Sequence, residues 1–326
     1  MLLKLTLVMM MACITSSHIE ATLQVGFYRD KCPFAEAIIK DVVKKSFIIN
    51  QGIAPGIVRL QFHDCFVRGC DGSILLDSTP INQAEKDGPP NGITIRGLEV
   101  IDIAKARLEA VCKGVVSCAD ILAFAARDSV VLTGGLYWDV AAGRRDGRIS
   151  RASETVDIPS PSFNLNQIIQ SFANKGLTQG DMVALLGAHT IGRSHCFSFT
   201  DRLYNYSTRM MQDPNLNPYY AELLKQRCPR VLPQILNETL VVFMNQSPYL
   251  IDQSYYENLF EHAGLFISDQ ALLDSQTTSQ QAAIYAANGL AWEVDFVKAM
   301  INLSQIQVLT GNQGEIRANC RVINPY

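Results

Sequence analysis

Eight cysteines spread between Cys32 and Cys320 limit the fold of this chain more than any other sequence feature. The sequence contains nine cysteines, and the first, Cys13, lies in an apolar N-terminal run typical of a cleaved signal peptide. Its removal leaves an even number in an exported chain, which predicts four disulfides. No Cys-x-x-Cys pair occurs, so zinc or iron–sulfur ligation is disfavoured. Eight cysteines allow many pairings, and the residues alone do not choose among them.

The N-terminal segment predicts export. A short start with Lys4, an apolar run and then small polar residues indicate a signal peptide over residues 1–21, with Ala21 as its last residue. Residues 22–326 would form the mature domain. No later stretch is long and apolar enough to cross a membrane, so we expect a released protein without a membrane partner.

The composition indicates a globular protein rather than a nucleic-acid-binding one. Hydrophobic residues make up 48% of the chain and the net charge is −3, so a sizeable core is expected and no basic face is indicated. In an exported chain, four Asn-x-Ser/Thr triplets are candidate glycosylation sites. They begin at Asn205, Asn237, Asn245 and Asn302, and Pro248 weakens the third.

Apolar residues recur at three- and four-residue spacing along most of the chain. Alternating strand patterns are rare and short, the best being 138–141 and 315–318. We therefore predict an all-α domain with minimal β structure, in which a ligand site would lie between helices. The predicted helical segments are 34–50, 97–111, 117–132, 165–175, 181–186, 219–227, 255–261, 279–288 and 292–309.

Four residues of unusual composition share one face if the segment around His63 is helical. Arg59, Phe62, His63 and Phe66 are three or four positions apart, which makes them neighbours on a helix. One interpretation is a half-buried helix whose arginine reaches solvent and whose histidine is merely hydrogen-bonded. The other is a cavity, which would relieve the cost of burying Arg59 beside two phenyl rings. A neutral imidazole beside a fixed cation suits heterolysis of a peroxide bond, and this favours the functional interpretation.

Two motifs resemble the signatures of class III, secretory plant haem peroxidases. Residues 59–66 resemble the distal signature of that family, and residues 187–192, Gly-Ala-His-Thr-Ile-Gly, resemble its proximal haem-ligand signature. The resemblance extends from Phe27 to Val322. It implies a two-lobed, all-α haem peroxidase fold with haem b between distal and proximal helices.

The resemblance also implies a role for each matching residue of the haem pocket. On the distal side, His63 would be the acid/base, Arg59 the transition-state stabiliser and Asn91 the residue that accepts a hydrogen bond from the histidine. On the proximal side, His189 would hold the iron and Asp269 would bind its other ring nitrogen. Phe62 and Phe243 would line the cofactor, and the carbonyl of Pro161 would contact aromatic donors.

Calcium is expected at one position and in doubt at another. The distal site implied by the resemblance has only oxygen ligands, which suits Ca²⁺, with Glu85 linked through water. Its direct ligands would be Asp64, Val67, Gly69, Asp71 and Ser73. The proximal site would use Thr190, Ser247, Leu250 and Asp252, but the usual aspartate is missing where this chain reads Met244-Asn245. We predict weaker binding there, or none.

The resemblance selects one disulfide pairing and one activity. The pairs would be Cys32–Cys112, Cys65–Cys70, Cys118–Cys320 and Cys196–Cys228. The activity would be reduction of hydrogen peroxide with one-electron oxidation of phenolic donors, by a monomer secreted to the cell wall. A vacuolar destination is disfavoured, because no long extension follows Cys320. One alternative is a haem-binding cell-wall protein with low turnover. Another, an intracellular peroxidase of the ascorbate type, is opposed by the signal peptide and the cysteines.

Overall fold

The computed structural model describes residues 22–230 and 239–325. Helices dominate these residues and strands are short, so the prediction of an all-α fold with minimal β structure is confirmed. No helix in the two described ranges is long and apolar enough to cross a membrane. The predicted signal peptide and the candidate glycosylation site at Asn237 lie outside the described residues.

The N-terminal half packs around one buried helix. Its helices are α1 (Ala35–Ile49), α2 (Ile53–Val67), α3 (Leu98–Val111) and α4 (Cys118–Leu132). Helix α4 contacts the other three and is buried over almost all of its length. The Ser117 side chain starts it by accepting a hydrogen bond from the Asp120 backbone N–H at 3.1 Å. The segment that carries Arg59 and His63 is therefore α2, held against the centre of this half.

The C-terminal half contains eight helices among the described residues, most of them shorter than those of the N-terminal half. They are α5 (Leu165–Asn174), α6 (Gln179–Leu186), α7 (Thr200–Tyr204), α8 (Pro218–Arg227), α9 (Ser254–Phe260), α10 (Ile267–Gln270), α11 (Gln276–Ala287) and α12 (Gly289–Leu303). Capping boxes at Asn164 and Thr178 start α5 and α6. Helix α12 packs against α6 and α11, which brings α6 and the residues after it onto the core.

Two antiparallel strand pairs complete the secondary structure of the described residues. Strand β1 (Gln24–Val25) pairs with β2 (Ala141–Ala142), and β3 (Arg193–His195) pairs with β4 (Val241–Phe243). The predicted strand at 138–141 overlaps β2 at one residue. The prediction at 315–318 is wrong as a strand, since Glu315 forms only an isolated bridge with Asp146.

The four disulfides connect distant parts of the chain in the pairing implied by the resemblance. They join Cys32–Cys112, Cys65–Cys70, Cys118–Cys320 and Cys196–Cys228. The bridge from Cys118 to Cys320 ties the C-terminal segment to the start of α4. The bridge from Cys196 to Cys228 lies in a second, smaller hydrophobic cluster, which is separate from the main core.

Candidate active site

Arg59, Phe62, His63 and Phe66 lie along one face of α2, the distal stripe, as their three- and four-residue spacing predicts. His63 is 5% exposed and Phe66 is fully buried, while Phe62 is half-buried with its ring stacked on Phe66 at 4.1 Å between centroids. Phe172 of α5 packs edge-on against Phe66 at 5.0 Å. The stripe thus places an imidazole at the edge of a rigid aromatic surface.

His63 is held by a side chain from a different part of the sequence. Its Nδ1 lies 2.5 Å from Oδ1 of Asn91, whose amide nitrogen donates to the backbone carbonyl of Glu85 at 2.6 Å. That second bond fixes which amide atom faces the ring, so Nδ1 donates and Nε2 keeps its lone pair. Burial and the charge of Arg59 hold the pKa of His63 well below its usual value, against the opposing effect of Asn91. His63 is therefore a neutral base at neutral pH.

Arg59 is partly exposed, but backbone carbonyls hold its guanidinium in one place. Its guanidinium donates to the backbone carbonyls of Thr94 at 3.2 Å and Pro90 at 2.8 Å. Burial and the neighbouring charge of Arg96 lower the pKa of Arg59 to about 10, so it stays charged at neutral pH. A fixed cation thus stands one helical turn before the base.

His189 lies in a short 3-10 helix, residues 187–190, directly after α6. Its Nδ1 lies 2.7 Å from Oδ1 of Asp269, a carboxylate that is 1% exposed. The backbone N–H of Phe266 donates to the other oxygen of Asp269 at 2.9 Å, and the Tyr255 hydroxyl donates to Oδ1 at 3.2 Å. Nδ1 of His189 is thus engaged, and Nε2 is the nitrogen left for a ligand.

Two aromatic rings contact His189 within the described residues, and neither is that of Phe243. Tyr255 and Phe266 meet it edge-on, at 6.2 and 5.3 Å between centroids. Phe243 instead ends strand β4, opposite Arg193, is 54% exposed, and packs against Tyr249. The structure therefore does not bring Phe243 against the proximal histidine. The only sequence signal for Phe266 was a weak one, its position three residues before Asp269.

A glycine makes room for the proximal segment. A Cβ atom on Gly187 would lie 2.4 Å from both the indole nitrogen of Trp292 and the hydroxyl oxygen of Tyr256, closer than side chains approach. Both groups are buried and hydrogen-bonded to α6, so neither has room to move aside. The glycine two residues before His189 is therefore required by packing.

Three arginines, Arg59, Arg96 and Arg193, lie beside the distal pocket and are close enough to affect one another electrostatically. Arg96 lowers the pKa of Arg59, and burial together with the charge of Arg193 lowers the pKa of Arg96. Within the described residues none of the three forms an ion pair with a carboxylate, although Glu99 lies near enough to oppose the lowering of the pKa of Arg96. This charge would be neutralised by an anionic ligand such as the carboxylates of haem.

The residues expected at the distal calcium site form a buried acidic cluster. Burial raises the pKa of Asp64 well above its usual value, that of Asp71 to about 6 and that of Glu85 to about 9. Both Glu85 carboxylate oxygens and the Ser73 hydroxyl are buried without a partner in hydrogen-bonding geometry among the described residues. The hydroxyl still lies near enough to Asp71 and Glu85 to oppose the rise in their pKa values.

Backbone carbonyls would have to complete a cation site in this cluster. No group of three or more His, Cys, Asp or Glu side chains in the described residues is arranged to hold a metal by itself. The carbonyl of Val67 accepts from the Lys175 ammonium at 3.0 Å, and that of Gly69 accepts from the Asp71 N–H at 2.8 Å. Each carbonyl has a second lone pair, so the cluster fits a cation that prefers oxygen.

The polar side chains expected at the proximal calcium site form hydrogen bonds with one another. Hydroxyl groups of Thr190 and Ser247 donate to Asp252 at 2.9 and 2.7 Å, and Ser254 also donates to it. Burial would raise the pKa of Asp252, but these hydrogen bonds outweigh it and lower that pKa. The Asn245 amide nitrogen points into the same cluster, towards Thr190 and Ser254. One carboxylate and an inward N–H donor fit Ca²⁺ poorly.

The remaining predicted residues lie at the surface or near it. Pro161 is partly exposed and its carbonyl accepts from the Ser268 N–H at 3.0 Å, whereas the carbonyl of Pro159 has no hydrogen-bond donor among the described residues. Asn205 is exposed just after α7. Asn302 is exposed on α12 but donates to Asp181, and Asn245 is only 8% exposed.

A base and a cation on one helix, with a carboxylate-held imidazole on another segment, define a site of the peroxidase type. A family model described as Peroxidase matches residues 38–288. The chain belongs to the plant peroxidase family, in its class III. It is a hydrogen-peroxide-dependent oxidoreductase, and membership of this family implies haem.

Named plant peroxidases are similar to this chain over nearly its whole length. Peroxidase 5 of Vitis vinifera is 58% identical over 324 residues, covering 99% of this chain and 97% of the relative. Peroxidase 1 of Zea mays is 46% identical over 310 residues, with 94% and 84% covered. Peroxidase 66 of Arabidopsis thaliana is 46% identical over 305 residues, with 94% and 93% covered. These relatives and the four disulfides indicate the secretory pathway.

Proposed function

We propose that the chain uses His63, Arg59 and His189 to reduce hydrogen peroxide at a bound haem b and to oxidise phenolic donors in successive one-electron steps. The observation that carries this proposal is the pair of histidine contacts, His63 with Asn91 and His189 with Asp269. Each fixes a ring by Nδ1 and leaves Nε2 available.

The chain's own residues supply proton transfer and charge stabilisation. Haem, when bound, supplies iron that exchanges single electrons. Nε2 of His63 takes the proton from one peroxide oxygen and returns it to the departing oxygen. Arg59 stabilises the negative charge that develops on the departing oxygen. Asn91 keeps Nδ1 protonated throughout, so the basic nitrogen is always the one that faces the pocket.

The proximal residues and the arginine cluster suit the cofactor. Nε2 of His189 would bind the iron, with Asp269 making the ring a stronger electron donor. Phe62 would line the distal side, and Tyr255 and Phe266 contact the proximal histidine. Arg96 and Arg193 would receive the cofactor's carboxylates.

Donors would bind at the loop that contains Pro159 and Pro161. A phenolic hydroxyl donates to a carbonyl oxygen, and an oxygen without another donor is the better acceptor. The carbonyl of Pro161 already accepts from Ser268, so the carbonyl of Pro159 is the freer of the two.

Calcium is proposed for the acidic cluster of Asp64, Asp71, Ser73 and Glu85. A divalent cation would neutralise carboxylates whose pKa values are raised by burial and would give the unpartnered oxygens a ligand. The proximal cluster around Asp252 would bind Ca²⁺ more weakly or not at all. We further propose cleavage of a signal peptide over residues 1–21, secretion of residues 22–326 to the cell wall as a monomer, and glycosylation at Asn205 before the other candidates.

The decisive experiment compares the wild type with His63→Ala, both loaded with haem. The wild type should show a haem Soret band and peroxide-dependent oxidation of guaiacol. The variant should keep the band and lose turnover by about 10²–10⁴-fold, the usual effect of a general acid–base group. A wild type with the Soret band but no turnover would instead indicate the low-turnover haem-binding protein. Equal turnover in both would exclude the proposed role of His63.

A further inference from the structure

Aromatic rings form a continuous path from His189 into the C-terminal half. The ring of Tyr255 lies 6.2 Å from His189, and Tyr256 follows at 4.9 Å. Tyr285 of α11 and Trp292 of α12 both contact Tyr256, at 5.1 and 5.7 Å. All four residues beyond His189 are nearly or fully buried. Electron transfer between rings in contact is fast, because electronic coupling falls steeply with separation.

The two tyrosines at the ends of this path each have a carboxylate that can accept a proton. The Tyr255 hydroxyl donates to Oδ1 of Asp269 at 3.2 Å, and the Tyr285 hydroxyl donates to Oδ2 of Asp295 at 3.0 Å. The Tyr256 hydroxyl instead donates to the backbone carbonyl of Val183 at 2.9 Å, which is not a base. Oxidation of a tyrosine requires loss of its phenolic proton, so the end positions suit a radical and the middle one suits a relay.

We propose that Tyr255 and Tyr285 are redox-active residues that pass oxidising equivalents from the cofactor towards the protein surface when no small donor is bound. This inference rests on the proposed function, in which hydrogen peroxide oxidises the cofactor. The oxidised cofactor is the oxidant of Tyr255. Tyr256 connects the two residues, and Trp292 is a second ring in contact with the relay. The path ends at Asp295, whose side chain is 43% exposed beside Lys298.

Each step conserves electrons and protons. Tyr255 gives one electron to the oxidised cofactor and its phenolic proton to Asp269, which leaves a neutral tyrosyl radical. An electron from Tyr285, passed through Tyr256, then reduces that radical, and the proton returns from Asp269 to Tyr255. Tyr285 loses its own proton to Asp295 and becomes the radical. A phenolic donor at the surface, too bulky to enter the haem pocket, gives one electron to the Tyr285 radical and its own phenolic proton to solvent, while Asp295 returns the proton to Tyr285. One oxidising equivalent has then left the cofactor and resides on the donor as a phenoxyl radical.

The experiment adds one equivalent of hydrogen peroxide to the haem-loaded protein without a donor and records freeze-quench EPR spectra. The wild type should give a tyrosyl radical, and Tyr285→Phe should change its line shape as the radical stays at Tyr255. Tyr255→Phe should lower the radical yield several-fold and slow the return of the resting Soret spectrum. Tyr219→Phe is the matched control, because Tyr219 is 75% exposed and makes no ring contact with the path within the described residues.

Two outcomes overturn the inference, and both differ from failure of the proposed function. One is a wild type without a tyrosyl radical, and the other is a radical of unchanged yield and line shape in Tyr255→Phe and Tyr285→Phe. Guaiacol turnover and the Soret band are measured on the same samples, so normal turnover without a radical removes only the inference. If Tyr255→Phe does not bind haem, Tyr256→Phe tests the path instead. This variant should trap the radical at Tyr255 and so change the EPR line shape. A spectrum unchanged from that of the wild type would exclude the path.

Discussion

Oδ1 of Asn91 lies 2.5 Å from Nδ1 of His63, and the same amide group reaches the backbone of Glu85 through its nitrogen. The distal base is thereby connected to the acidic cluster, because Glu85 contributes its carboxylate there. Helix α2 makes a second connection, since it carries His63 and Asp64 in succession. Orientation of the base and integrity of the cluster are therefore coupled through two separate contacts.

Asn91→Ala should slow the reaction with hydrogen peroxide and leave haem binding intact. Without the acceptor at Nδ1, the imidazole loses its fixed tautomer and Nε2 is no longer always the basic nitrogen. We expect the second-order rate constant with peroxide to fall roughly 10- to 100-fold, the range for loss of a group that orients a catalytic or ligating histidine. Stopped-flow absorbance at the Soret band measures it. Thr94→Val, which removes a hydrogen bond to the Asn91 carbonyl but not to His63, is the control.

The rate constant with peroxide should stay high as the pH falls below the ordinary pKa of histidine. His63 is active when unprotonated, and burial and Arg59 hold its pKa well below 6.5, so the acid limb of the profile lies at low pH. Arg59→Leu removes a charge that lowers this pKa, so the acid limb should move to higher pH. The plateau should also fall about 10²–10³-fold, as for loss of one donor to developing negative charge.

Arg59→Lys separates these two effects, because it keeps the charge but loses the planar guanidinium and its two carbonyl contacts. Its acid limb should lie close to that of the wild type while the plateau falls. An acid limb that does not move in Arg59→Leu would show that the arginine charge has no effect on His63.

The distal stripe could be predicted from the sequence because it depends only on helical spacing. The contact between His63 and Asn91 could not, since 28 positions separate them and only the resemblance connected them. The ring contacts of Phe243 could not be predicted either, because its direction depends on the pairing of β3 with β4. The predicted helix 292–309 ends at Leu303, although apolar residues continue. Gln307, inside the predicted helix, has a positive φ of 44°, which is not helical. Its Cβ and carbonyl oxygen pack so closely against Gly69 that a Cβ at Gly69 would clash with them.

Calcium removal should destabilise the protein through the acidic cluster alone. We expect one tightly held Ca²⁺ per chain in metal analysis after gel filtration, and its loss in Asp71→Asn. At free calcium 100 times its dissociation constant, the ion would contribute about 2.7 kcal/mol to the free energy of unfolding. Chelation should lower the thermal midpoint of the wild type accordingly. Ser247→Ala, in the proximal cluster, should retain the metal. Two tightly held ions per chain would contradict the prediction of weak or absent binding at the proximal site. A chain without any tightly held calcium would contradict the prediction for the distal site.

Asp120→Ala should be among the most destabilising changes outside the haem pocket. The carboxylate is fully buried on α4 and accepts from the Tyr28 hydroxyl at 2.6 Å, the Gly143 N–H at 2.7 Å and the Arg144 guanidinium at 2.8 Å. Its removal leaves a buried arginine without a counter-charge, which typically costs about 3–5 kcal/mol. Denaturant unfolding at equal haem and calcium loading measures the loss. Glu222→Ala breaks an exposed ion pair with Lys225 and should cost ~1 kcal/mol or less. Equal losses in the two variants would show that burial of the Asp120–Arg144 pair does not determine its contribution.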